Sequence, residues 1–244
     1  MNDISFYMLA YKQKNATEYC LKSIRKYYPN NKIIVFENFS NILFEVCKKY
    51  NAIHYFQPIN YLSKNNSSIY AHMKLLDDFK LFINQLKKVC ELVKTKWVMY
   101  LEPDVIIRGK IKKWPKYSVG GHHHNFNIFN NEIKDYINKF RLEKNLEIFD
   151  KYYFNCAGGN IINKKDLSIV LNSNWKKYIN YSINNYPKYN FCPIRCGDAL
   201  LSYLFFINGF KIEDWEEYCE IHQTKDQYRL TFAPIVHGFK YYYD

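Results

Sequence analysis

The chain has 244 residues, 48% of them hydrophobic and 19% aromatic, which fits one large domain, or one domain with an elaborated half, and supports a full core. Its 35 Lys and Arg against 23 Asp and Glu leave a net charge of +12, but only five of the cations are Arg, which argues against Arg-fork recognition of nucleic acid while still favouring anionic small molecules such as nucleotides. No stretch approaches the ~20 apolar residues of a membrane span, Met1-Asn2-Asp3-Ile4 does not read as a signal peptide, and seven scattered cysteines fit reduced thiols in a cytoplasmic setting.

In chain order, Ile4 to Ala10 reads as a first strand. Asn15 is placed to cap a helix from Ala16 to Tyr28, closed by Pro29. Lys32 to Phe36 is a second strand ending at Glu37-Asn38. Ser40 is placed to cap a helix running to Lys49, and Ala52 to Phe56 is a third strand. This alternation predicts a parallel sheet covered by helices. No Gly-rich loop follows the first strand; Tyr11-Lys12-Gln13-Lys14 stands there, which argues against a dinucleotide or P-loop site.

After a loop from Gln57 to Ser68, a helix is expected from about Ile69 to Val93, with Met73, Leu76, Phe79, Ile83, Leu86 and Cys90 on one stripe. Its Asp77-Asp78 pair reads as a solvated face. Trp97 to Leu101 is a short apolar run rich enough in aromatic and branched residues to be a strand buried on both faces. It runs straight into Glu102-Pro103-Asp104. Pro103 pushes Glu102 into an extended conformation, and in an extended run residues i and i+2 point to one side. Glu102 and Asp104 are therefore expected to converge on one cation, and oxygen ligands suit Mg2+ or Mn2+.

The later chain is less regular. A short strand is expected within Ser118 to His124, a helix over Asn131 to Asp150, and a strand broken by small residues over Tyr152 to Asn163. A helix from Lys164 to Tyr181 and a loop from Asn184 to Cys196 follow. Gly197-Asp198 opens a strongly apolar helix ending at Asn208-Gly209, and Pro234 to His237 is a last short strand. Adjacent histidines cannot all face one ion, so His122-His123-His124 reads as a ligand-lining or exposed loop rather than a zinc site. Cys192 and Cys196 read as structural. Asp198 has two readings, a helix N-terminal charge partner or cap, or a carboxylate facing a bound substrate.

Four pieces in order carry a resemblance: a βαβαβ start without a Gly loop, an acidic triplet after the fourth strand, Asn155-Cys156-Ala157-Gly158-Gly159, and the late His237-Gly238-Phe239-Lys240. Together they resemble the GT-A-fold nucleotide-sugar glycosyltransferases, and the last two are most similar to the glycogenin-like retaining enzymes. The biased composition and small size are also similar to the glycosyltransferases of large DNA viruses, which would place the protein in a host cytoplasm. The resemblance implies an α/β fold of GT-A (Rossmann-like) type, three layers around a mostly parallel sheet. It implies one domain over residues 1–244, with a nucleotide-binding half (1–105) and a donor-sugar and acceptor half (106–244).

By the same resemblance, Glu102-Pro103-Asp104 matches the Asp-x-Asp motif, with Glu where the family has Asp. His237 matches the C-terminal metal ligand, so the implied metal set is Glu102, Asp104 and His237, holding Mn2+ or Mg2+. Lys240 matches the lysine that reaches the diphosphate. Leu9, Ala10, Tyr11, Glu37 and Asn38 match the strand ends that hold base and ribose. Asn155, Ala157, Gly158 and Gly159 match the segment against the donor sugar. An aromatic-Pro pair that follows the lysine in the family is replaced here by Tyr241-Tyr242-Tyr243.

The activity implied is transfer of a hexose from a UDP-sugar to a hydroxyl of a glycan or protein, with Asp104 and Asp198 as the catalytic carboxylates. The small-residue strand and terminal histidine favour retention of anomeric configuration, whereas Gly197-Asp198 resembles the base of inverting enzymes. A nucleotidyltransferase, or a non-catalytic sugar- or nucleic-acid-binding module, are the alternatives; the first would want a Gly-rich phosphate loop.

Overall fold

The structure, a computed structural model, describes residues 3–10, 13–38, 41–57, 73, 76–122, 128–154, 160–187, 192–220 and 232–237. Strand β1, Ile4–Ala10, is buried along its whole length. It pairs in parallel with β2 (Ile33–Glu37) on one side and with β4 (Trp97–Leu101) on the other, and β2 pairs in parallel with β3 (Ile53–Phe56). Strands covered on both faces need continuous apolar runs, and β1, β2 and β4 supply them.

The sheet continues through β7 (Ile161–Asn163), β6 (Val119–Gly121) and β8 (Ile212–Asp214), giving seven strands in the order β3-β2-β1-β4-β7-β6-β8. Only the β4–β7 and β6–β7 pairings are antiparallel. A second sheet of three short strands joins β5 (Ile106–Ile107), β10 (Ile235–His237) and β9 (Tyr218–Glu220).

Side chains alternate across β1. Phe6, Met8 and Ala10 pack with Cys20, Leu21 and Ile24 of helix α1 (Lys14–Tyr27) and with Val46 of α2 (Phe44–Lys49). Tyr7 and Leu9 point the other way, into a core with Phe79, Ile83 and Leu86 of α3 (Leu76–Leu92). That core also takes residues of α4 (Asn131–Leu142), α5 (Lys164–Leu171), α6 (Trp175–Asn185) and α7 (Gly197–Ile207). The result is helix, sheet, helix, the expected α/β architecture with a mostly parallel central sheet. Helix α7 is apolar all round because it is buried all round, with only Asp198 partly exposed.

Several local expectations are corrected. Helix α1 starts at Lys14 with Gln13 at its cap position, so Asn15 lies in its first turn and caps nothing. The amide N–H groups of Ile42 and Leu43, just ahead of α2, donate to the Glu37 carboxylate at 2.8 and 3.1 Å. A buried anion from the end of β2 thus holds the start of α2, a role the sequence suggested for Ser40, which lies outside the described residues. The expected helix over Asn131 to Asp150 stops at Leu142. Asn145 turns the chain with φ of 55°, and the Arg141 guanidinium donates to the Glu147 carbonyl.

Lys164 to Tyr181 is two helices. The Asn163 side chain accepts from Lys165 and Asp166 at the start of α5. At its end, Asn172 and Ser173 side chains donate to the carbonyls of Ser168 and Val170, at 3.0 and 2.7 Å. Those local bonds compete with continuation of the helix. Asp78 is 5% exposed, so it does not belong to a solvated face. The expected helix start at Ile69 and residues 155–159 of the expected Tyr152 to Asn163 strand fall outside the described residues.

Candidate active site

The chain from β3 at the sheet edge returns through α3 to β4 on the far side of β1, so strand order reverses between β1 and β4. In open α/β sheets the crevice outside the carboxyl ends at such a reversal is the usual ligand site. Ala10 lies level with Glu37, and Met8 with Leu101. These ends therefore sit together, and Glu102 and Asp104 stand directly beyond β4.

The two acids converge by a different route from the one expected. Glu102 to Val105 is a turn, closed by the Val105 N–H donating to the Glu102 carbonyl at 3.1 Å. Pro103 occupies the second position of that turn, where its fixed φ is favoured. The turn ends in β5, whose antiparallel pairing with β10 sets Ile235 opposite Ile107 and Val236 opposite Ile106. One residue further, His237 reaches the level of Val105, beside Asp104.

His237 Nε2 lies 3.1 Å from Glu102 Oε2 and 3.3 Å from Asp104 Oδ1. One ligand atom from each of the three lies within 4.8 Å of the others. Asp104 and His237 are buried, and Glu102 is partly open. Burial disfavours a charged imidazole, but the hydrogen bonds and charges of Asp104 and Glu102 outweigh it and push the His237 pKa up to about 10. Two carboxylates facing one imidazolium give a concentrated anionic pocket, and one that a divalent cation can enter by displacing a proton. In octahedral coordination with bonds of about 2.1 Å, adjacent ligand atoms stand about 3 Å apart. The observed spacings of 3.1 and 3.3 Å match that edge.

The other sequence-derived site residues are distributed as follows. Leu9 and Ala10 end β1, both buried. Asn38 is buried next to them, its N–H donating to the Ala10 carbonyl at 3.3 Å. Glu37 is fully buried, and besides the two amides it meets His54 Nε2 at 2.8 Å. Asp198 sits in the first turn of α7, where the macrodipole favours a negative charge. Its charge also reaches buried Tyr7, whose pKa is raised by burial first and then by the nearby Cys90 and Asp198. Cys20, by contrast, lies on the other face of the sheet and feels Asp104. Tyr11, Asn155, Ala157, Gly158, Gly159 and Lys240 lie outside the described residues, as do His123 and His124.

One participant had no sequence signal. The Tyr218 ring is stacked on the His237 ring, with centroids 6.5 Å apart, and meets His122 edge-on at 6.2 Å. His122 in turn faces Asp214 at 3.4 Å. In a chain with 24 tyrosines, nothing in the sequence distinguishes this one.

No protein-family model and no curated protein sequence matches the chain. Solved structures do. The galactosyltransferase LgtC in complex with donor and acceptor sugar analogs aligns over 96% of this chain and 86% of its own, with a TM-score of 0.54 and 15% identity. An active-site mutant of LgtC gives the same figures. Mouse xyloside xylosyltransferase 1 in its apo form aligns over 96% and 97%, with a TM-score of 0.49 and 12% identity. At these identities the likeness to LgtC establishes the fold: the chain has the GT-A fold of glycosyltransferases.

Proposed function

We propose that the protein is a metal-dependent glycosyltransferase that moves a hexose from a UDP-sugar to a hydroxyl of a glycan or protein, in a cytoplasmic setting. The observation that carries this reading is the Glu102–Asp104–His237 cluster, one ligand atom of each lying within 4.8 Å of the others, at the carboxyl end of β4 in a GT-A fold. Asp104 and His237 would hold the cation directly, and Glu102 would complete the set or hold a water or the ribose. One imidazole among oxygens tilts the choice to Mn2+ over Mg2+. When bound, such a cation would neutralise the charge that develops on the departing diphosphate.

The remaining roles are assigned to the chain's own residues. Residues 1–105 would form the nucleotide half and 106–244 the sugar half. Leu9, Ala10, Tyr11 and Asn38 would border the base and ribose. Glu37 would act from behind, since its carboxylate is already engaged by Ile42, Leu43 and His54. Asn155 and Ala157 to Gly159 would lie against the donor sugar, where small residues permit close backbone approach. Lys240 would reach the diphosphate.

We favour retention of configuration, the departing diphosphate taking the acceptor's proton on the same face. Asp198 would then orient the acceptor or donor sugar.

The test is calorimetry with UDP in the presence and absence of Mn2+, followed by product NMR. Binding of UDP that requires the metal is the expected result. Absence of a metal effect refutes the assignment, and an inverted anomeric centre refutes retention.

A further inference from the structure

Two buried side-chain amides stand at the edge of the main sheet where its parallel strands have their carboxyl ends. Asn38, just beyond β2, is 6% exposed, and Asn160, just ahead of β7, is 4% exposed. Among the described residues, nothing hydrogen-bonds the Oδ1 atom of either. Buried acceptors are nearly always bonded, because an unmet one has lost its water and gained nothing. Two exceptions on one sheet edge point to a ligand.

The strand order β2-β1-β4-β7 sets the two amides on opposite sides of the crevice. Three strand spacings of about 4.8 Å separate them, about 14 Å across the strands, with Glu102 and Asp104 beyond β4 in between. With the nucleoside at the ends of β1 and β2 and the diphosphate at the cation cluster, as proposed above, the β7 side is left for the sugar.

Asn160 is fixed there by its backbone. Its carbonyl accepts from the Tyr100 N–H at 2.8 Å, one rung beyond the pairing of Met99 with Ile161. Side chains alternate along a strand, so Asn160 shares the face of Ile162, which packs in the core that holds Tyr7, and not that of Ile161. Tyr7 and Tyr100 are paired level with one another and stacked at 5.1 Å on that face. Asp198, from the first turn of α7, lies near enough to Tyr7 to act on its phenol. The amide thus continues a row of polar groups across the sheet beside Glu102. Such a row suits a sugar, whose hydroxyls each donate and accept.

We propose that Asn160 is a specificity-determining residue for the donor, its Oδ1 accepting a hydrogen bond from a hydroxyl of the hexose. This rests on the glycosyltransferase reading.

The experiment measures binding of UDP, UDP-glucose and UDP-galactose to the full chain with Mn2+ present, in the wild type, in Asn160→Leu and in Asn160→Ala. Leu keeps the volume and removes both polar atoms, while Ala cannot clash. In both variants the affinity for the tighter of the two UDP-hexoses is expected to fall about tenfold, the size of one hydrogen bond to a buried acceptor, with UDP unchanged. Where Asn160→Leu does not fold, Asn160→Ala decides by the same ratio.

Equal losses for UDP and UDP-hexose, or no loss at all, overturn the proposal. An unchanged ratio is what an internal water on Oδ1 would give. A wild-type chain that binds no UDP removes the transferase reading and this inference with it, whereas UDP binding at an unchanged ratio removes the inference alone.

Discussion

The two sides of the candidate site are built differently. Asp104 and Glu102 follow β4, a five-residue strand inside a seven-stranded sheet, with cores on both faces. His237 ends β10, a three-residue strand in a three-stranded sheet whose partners lie more than a hundred residues apart in sequence. Burial of large side chains positions the first. The second is shorter, but it shares the core on one face of the main sheet, where Ile107, Ile235 and Tyr218 pack with Phe6 and Met8, and the Glu217 carboxylate and Trp215 indole grip the 112–113 loop at 2.8 to 3.1 Å. The comparison teaches that the acids follow a long-range sheet strand, whereas the histidine arrives on a short strand from distant chain that docks on the same core.

The largest effect should come from the main sheet. Phe36, fully buried and stacked on Tyr55 at 5.4 Å, is expected on truncation to Ala to cost about 3–5 kcal/mol, measured by denaturant unfolding. A loss well under 1 kcal/mol would remove the distinction between the two regions. Next is Asp104→Asn. It should lower Mn2+-dependent UDP affinity by more than about 100-fold, the upper end even for residues that only orient a metal ligand, while circular dichroism stays native. Unchanged affinity with the same metal dependence would sink the metal assignment.

His237→Ala should be milder, weakening Mn2+ affinity about 10–100-fold, with the unfolding midpoint of the main sheet preserved. If that midpoint collapses instead, His237 serves the fold rather than the metal.

The smallest effect concerns pH and should not separate the two regions. Burial pushes the Cys47 thiol up to about 12 and those of Cys90, Cys192 and Cys196 up to about 11, from an ordinary value of 9.0. The folded state thus prefers the protonated thiols. Their contribution is fully present below pH 9 and is lost as pH rises through 11 to 12. Thermal midpoints measured from pH 8 to 11 should be flat at first and then fall. A midpoint that rises across that span contradicts the assigned direction.

What could be read from the sequence follows from how locally each feature is specified. The runs Ile4–Ala10 and Trp97–Leu101 became strands with the expected bounds, because a strand buried on both faces must be apolar throughout. Strands β8 and β9 carried no such pattern: Ile212-Glu213-Asp214 is only partly buried, and its pairing with Val119 to Gly121 comes from distant chain. The fit at Gly120 is equally non-local, since a side chain there would stand 2.7 Å from Pro115 and 3.0 Å from Trp215. Helix ends failed for a related reason. Asn15 looked like a cap, but the choice of first turn went to the register that buries Cys20, Leu21 and Ile24.

By itself, then, the sequence determined a mostly parallel α/β sheet and an acidic triplet at the carboxyl end of its fourth strand, since apolar runs are specified by their own neighbours. Tertiary structure decided that the triplet turns and by what pairing His237, expected there from resemblance only, meets it, that Glu37 faces inward to hold the start of α2, and that Tyr218 lies against His237. Each of these contacts joins residues that only chain crossing brings together, and a buried charge or ring is oriented by whatever partner the packing supplies.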